Sequence, residues 1–292
     1  MSETTAVKKD SYFRDVIRRF TAHKLAMLGL TIIILEVILV VVLPLIMDLD
    51  PYTSDVQAFI APPSAEHLLG TDDTGRDVFA RLIYGGRVSL LVGLLSAIIS
   101  LCIGVPLGLL AGYYKGIWET IVMRAADVFM SFPSMILILV LVSMIGPSVW
   151  TVTIVIGALG WTDFAKLIYG NVLSVREKEY VESAKAVGTK DLIILIKYVI
   201  PNAFTPILIN FTFRTAQAII QESALSFLGM GVRPPQASWG NILYAAQSIT
   251  VLSSRPWLWI PPGILLVLTV ASINFIGDGI RDALDSKVKI KK

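Results

Sequence analysis

The chain has 292 residues, of which 55% are hydrophobic and only 16% charged, and its mean hydropathy is +0.72. Soluble domains carry about a quarter charged residues, so a chain this poor in charge reads as a membrane protein. The formal net charge of +3 is spread over loops, which excludes a basic face for nucleic acid.

Residues 1–24 mix acids and bases, and the apolar run after them is too long for a secretory h-region and lacks a small-residue cleavage site. They are expected to form a cytoplasmic N-terminal segment, followed by a retained first transmembrane helix at 25–47. A span needs ~20 predominantly apolar residues. Five further runs meet or approach that length, at about 88–113, 125–145, 149–169, 200–220 and 257–276. Only helices suit them, because each backbone polar group must be satisfied within its own segment. The predicted fold is therefore an all-α membrane protein with six transmembrane helices. Residues 48–87, rich in Pro, Asp, Ser and Gly, read as an outer loop whose stretch 75–84 forms a short amphipathic helix. Residues 88–282 then make a five-helix core, and 283–292 a cytoplasmic tail.

Lysine and arginine set the orientation. With the N-terminus inside, the cytoplasmic side holds 19 of the 25, counting Lys166 at the inner end of span four. The outer segments hold five, and Arg214 falls within span five. Both ends are therefore placed in the cytoplasm.

Gly104, Gly108 and Gly112 repeat every four residues in span two and offer a smooth stripe for close helix packing. Pro106 between them predicts a kink suited to gating. Cys102 has no intrachain partner and is expected to pack. Arg124 and Asp127 read as an interfacial anchor pair opening span three, before Phe132-Pro133 breaks its first turns. Few ionisable residues stand out in the spans: Glu36 midway along span one, and Arg214 and Glu222 toward the outer half of span five. An ion-coupled carrier builds its relay from several such groups.

Absences narrow the chemistry. There is no G-x-x-x-x-G-K-[ST] phosphate loop, since Gly188-Thr189-Lys190 lacks the upstream glycine. The two histidines, His23 and His67, lie outside the spans, against a Ser-His nucleophile or a His-based zinc site. Asp72, Asp73 and Asp77, with Arg76 among them, stand close together, but the three acids do not follow the spacing of an EF-hand. No metal is assigned to them; turn capping or contact with an outer partner is expected.

The cytoplasmic loop 174–200 is not loop-like. Residues 176–187 favour helix, with Glu182 and Lys185 at i, i+3. Gly188 stands where a helix stop is expected, Thr189 or Asp191 can cap a second helix, and Pro201 marks entry into span five. Tyr180, Val181, Ala184 and Val187 form an apolar stripe flanked by charge. Two readings stay open on these residues: a helix resting on the membrane surface, or a knob for a cytoplasmic partner.

Glu182-Ser183-Ala184, three residues, then Gly188, with Pro201 beyond, resembles the E-A-A-x-x-x-G loop of bacterial ABC importer permeases, with Ser183 in place of the middle alanine. Residues 70–77 and 81–87 resemble the dipeptide and oligopeptide branch, as do Glu222 to Gly231, Pro234-Pro235 with Ser238-Trp239-Gly240, and Gly277 to Asp285. These blocks run in the family's order and are similar to the second of its paired permeases. The resemblance implies a type I ABC importer transmembrane fold in the cell membrane, without catalytic residues. It implies that Tyr180, Val181, Glu182, Ala184, Lys185 and Gly188 belong to a coupling helix seated in a cleft of an ATPase subunit. The implied partners are a homologous second permease, two ATPase subunits binding ATP and Mg, and an extracytoplasmic solute-binding protein. No cofactor is implied on this chain. The implied cargo is di- or oligopeptide, with nickel chelates or glutathione as alternatives. A stand-alone channel or ion-coupled carrier, or a scaffold without transport, are the readings from other classes.

Overall fold

The structure, a computed structural model, describes residues 9–284. Residues 1–8 of the expected N-terminal segment and 285–292 of the expected tail lie outside the described residues. The described residues form helices joined by irregular segments, with two isolated bridges, Ser54 to Arg76 and Thr71 to Asp77, and no strand. Five helical runs are long and apolar enough to cross a membrane, and a sixth span appears when one sharply bent pair is counted as a unit.

Helix α1 (Lys9–Ala22) leads into α2 (Lys24–Ile46), the first span. Its N-terminus is capped by His23, whose Nδ1 accepts from the Ala26 N–H at 3.1 Å, filling one of the orphan donors of a helix start. Helix α3 (Val78–Tyr114) is the second span, and it corrects the expected outer boundary. The loop ends at Asp77, whose carboxylate caps α3 through the Ala80 N–H at 2.7 Å. The expected separate helix at 75–84 is instead the first turns of this long helix. Pro106 lies inside it, and α3 runs through as one helix.

The third span departs furthest from a straight rod. Helices α4 (Gly116–Met130) and α5 (Ser134–Ile145) meet at 88° across Ser131, Phe132 and Pro133. Proline lacks the N–H needed to continue the ladder and biases the residue before it away from helical dihedrals. Helices α6 (Val149–Leu159) and α7 (Trp161–Arg176) join at Gly160 into the fourth span. Helix α8 (Glu179–Ala186) and the single turn α9 (Asp191–Ile194) make the cytoplasmic excursion.

Residues Leu195–Val199 form a π turn leading into α10 (Ile200–Phe227), so span five is continuous from Asp191. Pro201 cannot donate to a carbonyl four residues back, and a wider turn absorbs the mismatch. The expected caps at Thr189 or Asp191 are not used: Lys190 starts α9 without a side-chain hydrogen bond. Short helices α11 (Trp239–Leu243) and α12 (Ile249–Ser254) shape the last outer segment before α13 (Ile260–Leu284).

Helix α3 is the central element, packed against α7, α10, α6 and α2. The glycine stripe explains the closest of these contacts. A Cβ on Gly108 would stand 2.6 Å from the Ala165 carbonyl oxygen, and one on Gly112 2.7 Å from Val172 Cβ. Gly104 backs onto Trp161 and Phe164 in the same way. Polar side chains then tie helices across the bilayer interior: Ser96 donates to the Thr153 carbonyl at 3.0 Å and Ser100 to that of Gly157 at 2.8 Å. Cys102, expected to pack, is exposed on the outside of α3.

Candidate functional site

The cytoplasmic lobe is built from the end of α7 through the π turn. Helix α8 stops in a Schellman arrangement: the Gly188 N–H donates to Lys185 O at 2.9 Å and the Thr189 N–H to Ala184 O at 3.0 Å. Gly188 has φ +77, in the left-handed region that favours glycine, and open space around it.

The predicted apolar stripe divides. Val181 and Ala184 are buried in a cluster with Tyr113, Ile168, Val172, Ile194 and Val199. They anchor α8 to the transmembrane helices and are not free for a partner. Tyr180, 41% exposed, leans on the Tyr198 ring, and Val187 stands out at 81% exposure. Lys185 lies over the Tyr113 ring, 4.8 Å from its centroid, and makes no ion pair with Glu182 among the described residues. Burial, then Arg176, lowers the Lys185 pKa from its ordinary value. Arg176 donates to the Tyr113 carbonyl at 2.9 Å, and the Tyr113 hydroxyl donates to Asp191 at 2.6 Å, so the lobe is hinged on the inner end of α3. The side left outward carries Glu182, Ser183, Ala186 and Val187.

On the outer face, three of the four loop residues singled out are engaged within the chain. Asp72 accepts from Arg76 Nε at 2.8 Å and lies 3.3 Å from Arg81 Nε. Burial raises its pKa, but hydrogen bonds from Thr74 and the Arg76 backbone outweigh that and hold it below the usual carboxylate range. Asp77 caps α3 and contacts His67 Nδ1 at 2.8 Å. Asp73 alone is exposed, at the rim of a cavity of about 730 Å³ between the two outer segments. Behind that cavity, the buried Glu222 carboxylate accepts from Ser226 at 2.7 Å and Ser89 at 3.0 Å. Ser89 also accepts from the Trp239 backbone N–H at 3.2 Å, and Trp239 Nε1 donates to the Leu82 carbonyl at 3.0 Å. The resembling block 222–231 and the Ser238-Trp239-Gly240 block thus close the outer end of the bundle on α3.

A second cavity, of about 300 Å³, lies where the α4–α5 bend, the α6–α7 junction and α10 meet. Arg214 reaches it from α10, donating to the Ile156 carbonyl at 2.8 Å and to Gln217 Oε1 at 3.1 Å, with its guanidinium against Gly160. Asp163, 41% exposed, is 3.9 Å from Arg214. Asp163 and Gln221 are additions to the sequence reading. The signal for Asp163 was plain, an acid in the middle of an apolar span. That for Gln221 was absent, because a glutamine near a helix end carries no charge to flag it. Glu36, by contrast, accepts from the Thr269 hydroxyl of α13 at 2.8 Å, away from this cavity. The Arg124–Asp127 pair is loose at 3.9 Å, and Asp127 is held by Lys166 at 2.8 Å instead.

The arrangement is that of the transmembrane subunit of a type I ABC importer. A chain of the inward-facing MetNI methionine ABC transporter superimposes with a TM-score of 0.57 at 20% identity, over 70% of this chain and 96% of that one. Residues 104–290 match the family described as the binding-protein-dependent transport system inner membrane component, and residues 11–63 match the N-terminal TM domain of oligopeptide transport permease C. The oligopeptide transport system permease protein OppC of Bacillus subtilis is 35% identical over 99% of this chain and 94% of its own. The dipeptide transport system permease protein DppC of Alkalihalophilus pseudofirmus is 38% identical over 96% and 91%. The chain belongs to the binding-protein-dependent transport system inner membrane component family. It is a non-catalytic, multi-pass inner-membrane permease subunit of an ABC importer, a machine with separate ATPase components.

Proposed function

We propose that this chain forms half of the translocation path of a di- and oligopeptide importer and couples to an ATPase subunit through α8. The observation that carries the coupling role is the construction of α8 itself. It is pinned from behind by Val181 and Ala184, stopped by Gly188, and left with a small and acidic face outward. Such an element transmits a push as a rigid body, since its anchor reaches Tyr113, Val172 and Ile168 in two spans. Tyr180, Glu182 and Val187 are the contact residues; Lys185 orients the lobe. The machine includes a homologous second permease, two ATPase subunits that bind ATP and Mg, and an outer solute-binding protein, for which Asp73 and its rim are the contact. ATP-driven closure draws two coupling helices together and shifts the path between inward- and outward-open states. The close α3–α7 seam moves as one body in that step. Peptide cargo is supported by the names of the relatives at 35% and 38% identity.

The test is uptake by the reconstituted complex. Labelled dipeptide, glutathione and nickel chelate are offered in turn with ATP. Peptide accumulation that is lost in Glu182→Lys and Gly188→Asp supports the reading. Flux without ATPase subunits, or coupled uptake in both variants, would sink it.

A further inference from the structure

We propose that the 300 Å³ cavity is a station for the protonated amine of the transported peptide, with Asp163 and Gln221 as its acceptors. This rests on the peptide-importer reading and adds to it a place and a chemistry for cargo contact.

Three observations converge there. The first is backbone. The 88° break at Ser131–Pro133 and the junction at Gly160 both border the cavity. Irregular backbone at membrane depth is tolerated only where it is buried in protein or lines a water-filled cavity. The second is charge. Asp163 stands near the middle of the 149–176 span with its side chain 41% exposed. An acid in that position is not left to lipid; it faces a partner or a water-filled path. The third is an unmet hydrogen bond. Gln221 is 9% exposed and lines the cavity, and its Oε1 has no donor among the described residues. A buried acceptor without a partner is costly, and native structures supply one or use the site.

The imbalance between donors and acceptors selects the ligand. Three of the five Arg214 N–H donors are engaged away from Asp163: Nη2 donates to the Ile156 carbonyl, Nη1 to Gln217, and Nε reaches Ser100 at 3.4 Å. Its nearest approach to Asp163 is 3.9 Å, too long for a hydrogen bond. Asp163 and Gln221 Oε1 therefore remain as acceptors that need N–H donors. An ammonium group offers three donors and the charge that Asp163 attracts. Phe129 and Phe132 on the bend, 43% and 54% exposed, supply an apolar wall for the neighbouring side chain. Because only the amine is read, residues of many kinds pass.

The protection test needs no binding protein. In the assembled complex, carrying Cys102→Ser and Ser134→Cys, the alkylation rate of Cys at the cavity wall is followed. A dipeptide with a free amine is expected to slow it about threefold at twice its dissociation constant. The N-acetylated dipeptide is expected to leave it unchanged. Asp163→Asn, at a half-exposed position that folding tolerates, is expected to abolish the protection. Gln221→Leu is expected to weaken it. Equal protection by both peptides, protection by neither, or protection that survives Asp163→Asn overturns the station. Peptide uptake by the unmodified complex together with its solute-binding protein is measured alongside. Its absence overturns the importer reading, and the station falls with it; its presence without amine-dependent protection overturns the station alone.

Discussion

The seam between α3 and α7 gives the sharpest quantitative prediction, because two glycines on facing helices should respond to the same substitution with opposite signs. At Gly108 an added Cβ would sit 2.6 Å from the Ala165 carbonyl oxygen and 2.8 Å from Ile168 Cβ, whereas ordinary contact begins at 3.4 Å. The helices must separate by roughly 0.8 Å, a gap that forfeits a quarter to a half of each close contact along the seam. Overpacking of this kind costs about 1–3 kcal/mol, and the gain in helix propensity from glycine to alanine returns about 0.5–1 kcal/mol. Gly108→Ala is therefore expected to destabilise the chain by about 1–2 kcal/mol, a factor of about 5–30 in the unfolding equilibrium. Gly170, on the same α7, has nothing within 4 Å of its would-be Cβ. Gly170→Ala keeps the propensity gain alone and is expected to stabilise by about 0.5–1 kcal/mol. The assay is SDS-titrated unfolding of the purified chain in mixed micelles, followed by tryptophan fluorescence. If Gly108→Ala proves as stable as Gly170→Ala, the seam is not closely packed and its role as a rigid unit fails.

Two further predictions probe the outer half. Glu222→Ala leaves the hydroxyls of Ser89 and Ser226 without their acceptor, and each stranded buried group costs about 1–3 kcal/mol. A fall of the thermal midpoint is expected, with Glu222→Gln retaining more than half of the lost stability. Equal midpoints for the two variants would contradict the hub. The Asp77 contact, then its charge and that of Asp55, hold the His67 pKa above its ordinary value, with burial opposing. A raised histidine contributes stability that is complete below its unfolded value of about 6.5 and is lost as pH rises through the folded one. The 48–77 loop should therefore become easier to proteolyse as pH rises above about 6.5, and His67→Gln should remove that dependence. A rate independent of pH in the unsubstituted chain speaks against the pairing.

How far the sequence went depends on what each feature needed. Span number was legible because hydropathy acts residue by residue, without knowledge of neighbours. The stripe Gly104, Gly108, Gly112 was legible as a packing face, since absence of side chains is visible in sequence; that its partner is α7 was not. Gly188 announced the end of α8 because positive φ selects glycine. The stripe on α8 was half misread. Periodicity places Tyr180, Val181, Ala184 and Val187 on one side, but only tertiary contacts reveal that Val181 and Ala184 face the bundle while Val187 projects. Pro133 signalled a break but not its 88°, which depends on where α5 can pack. The cavity was the least visible, because it is assembled from residues of three spans.

The central claim is that α8 is the contact with an ATPase subunit. Site-specific photo-cross-linking tests it most directly. A photoreactive residue is placed at Val187, at Glu182, and at exposed Phe59 on the outer loop as the control, in the full complex. Cross-links to the ATPase from Val187 and Glu182, and none from Phe59, are the predicted result. No adduct from either α8 position, in a complex that still imports its cargo, would contradict the account.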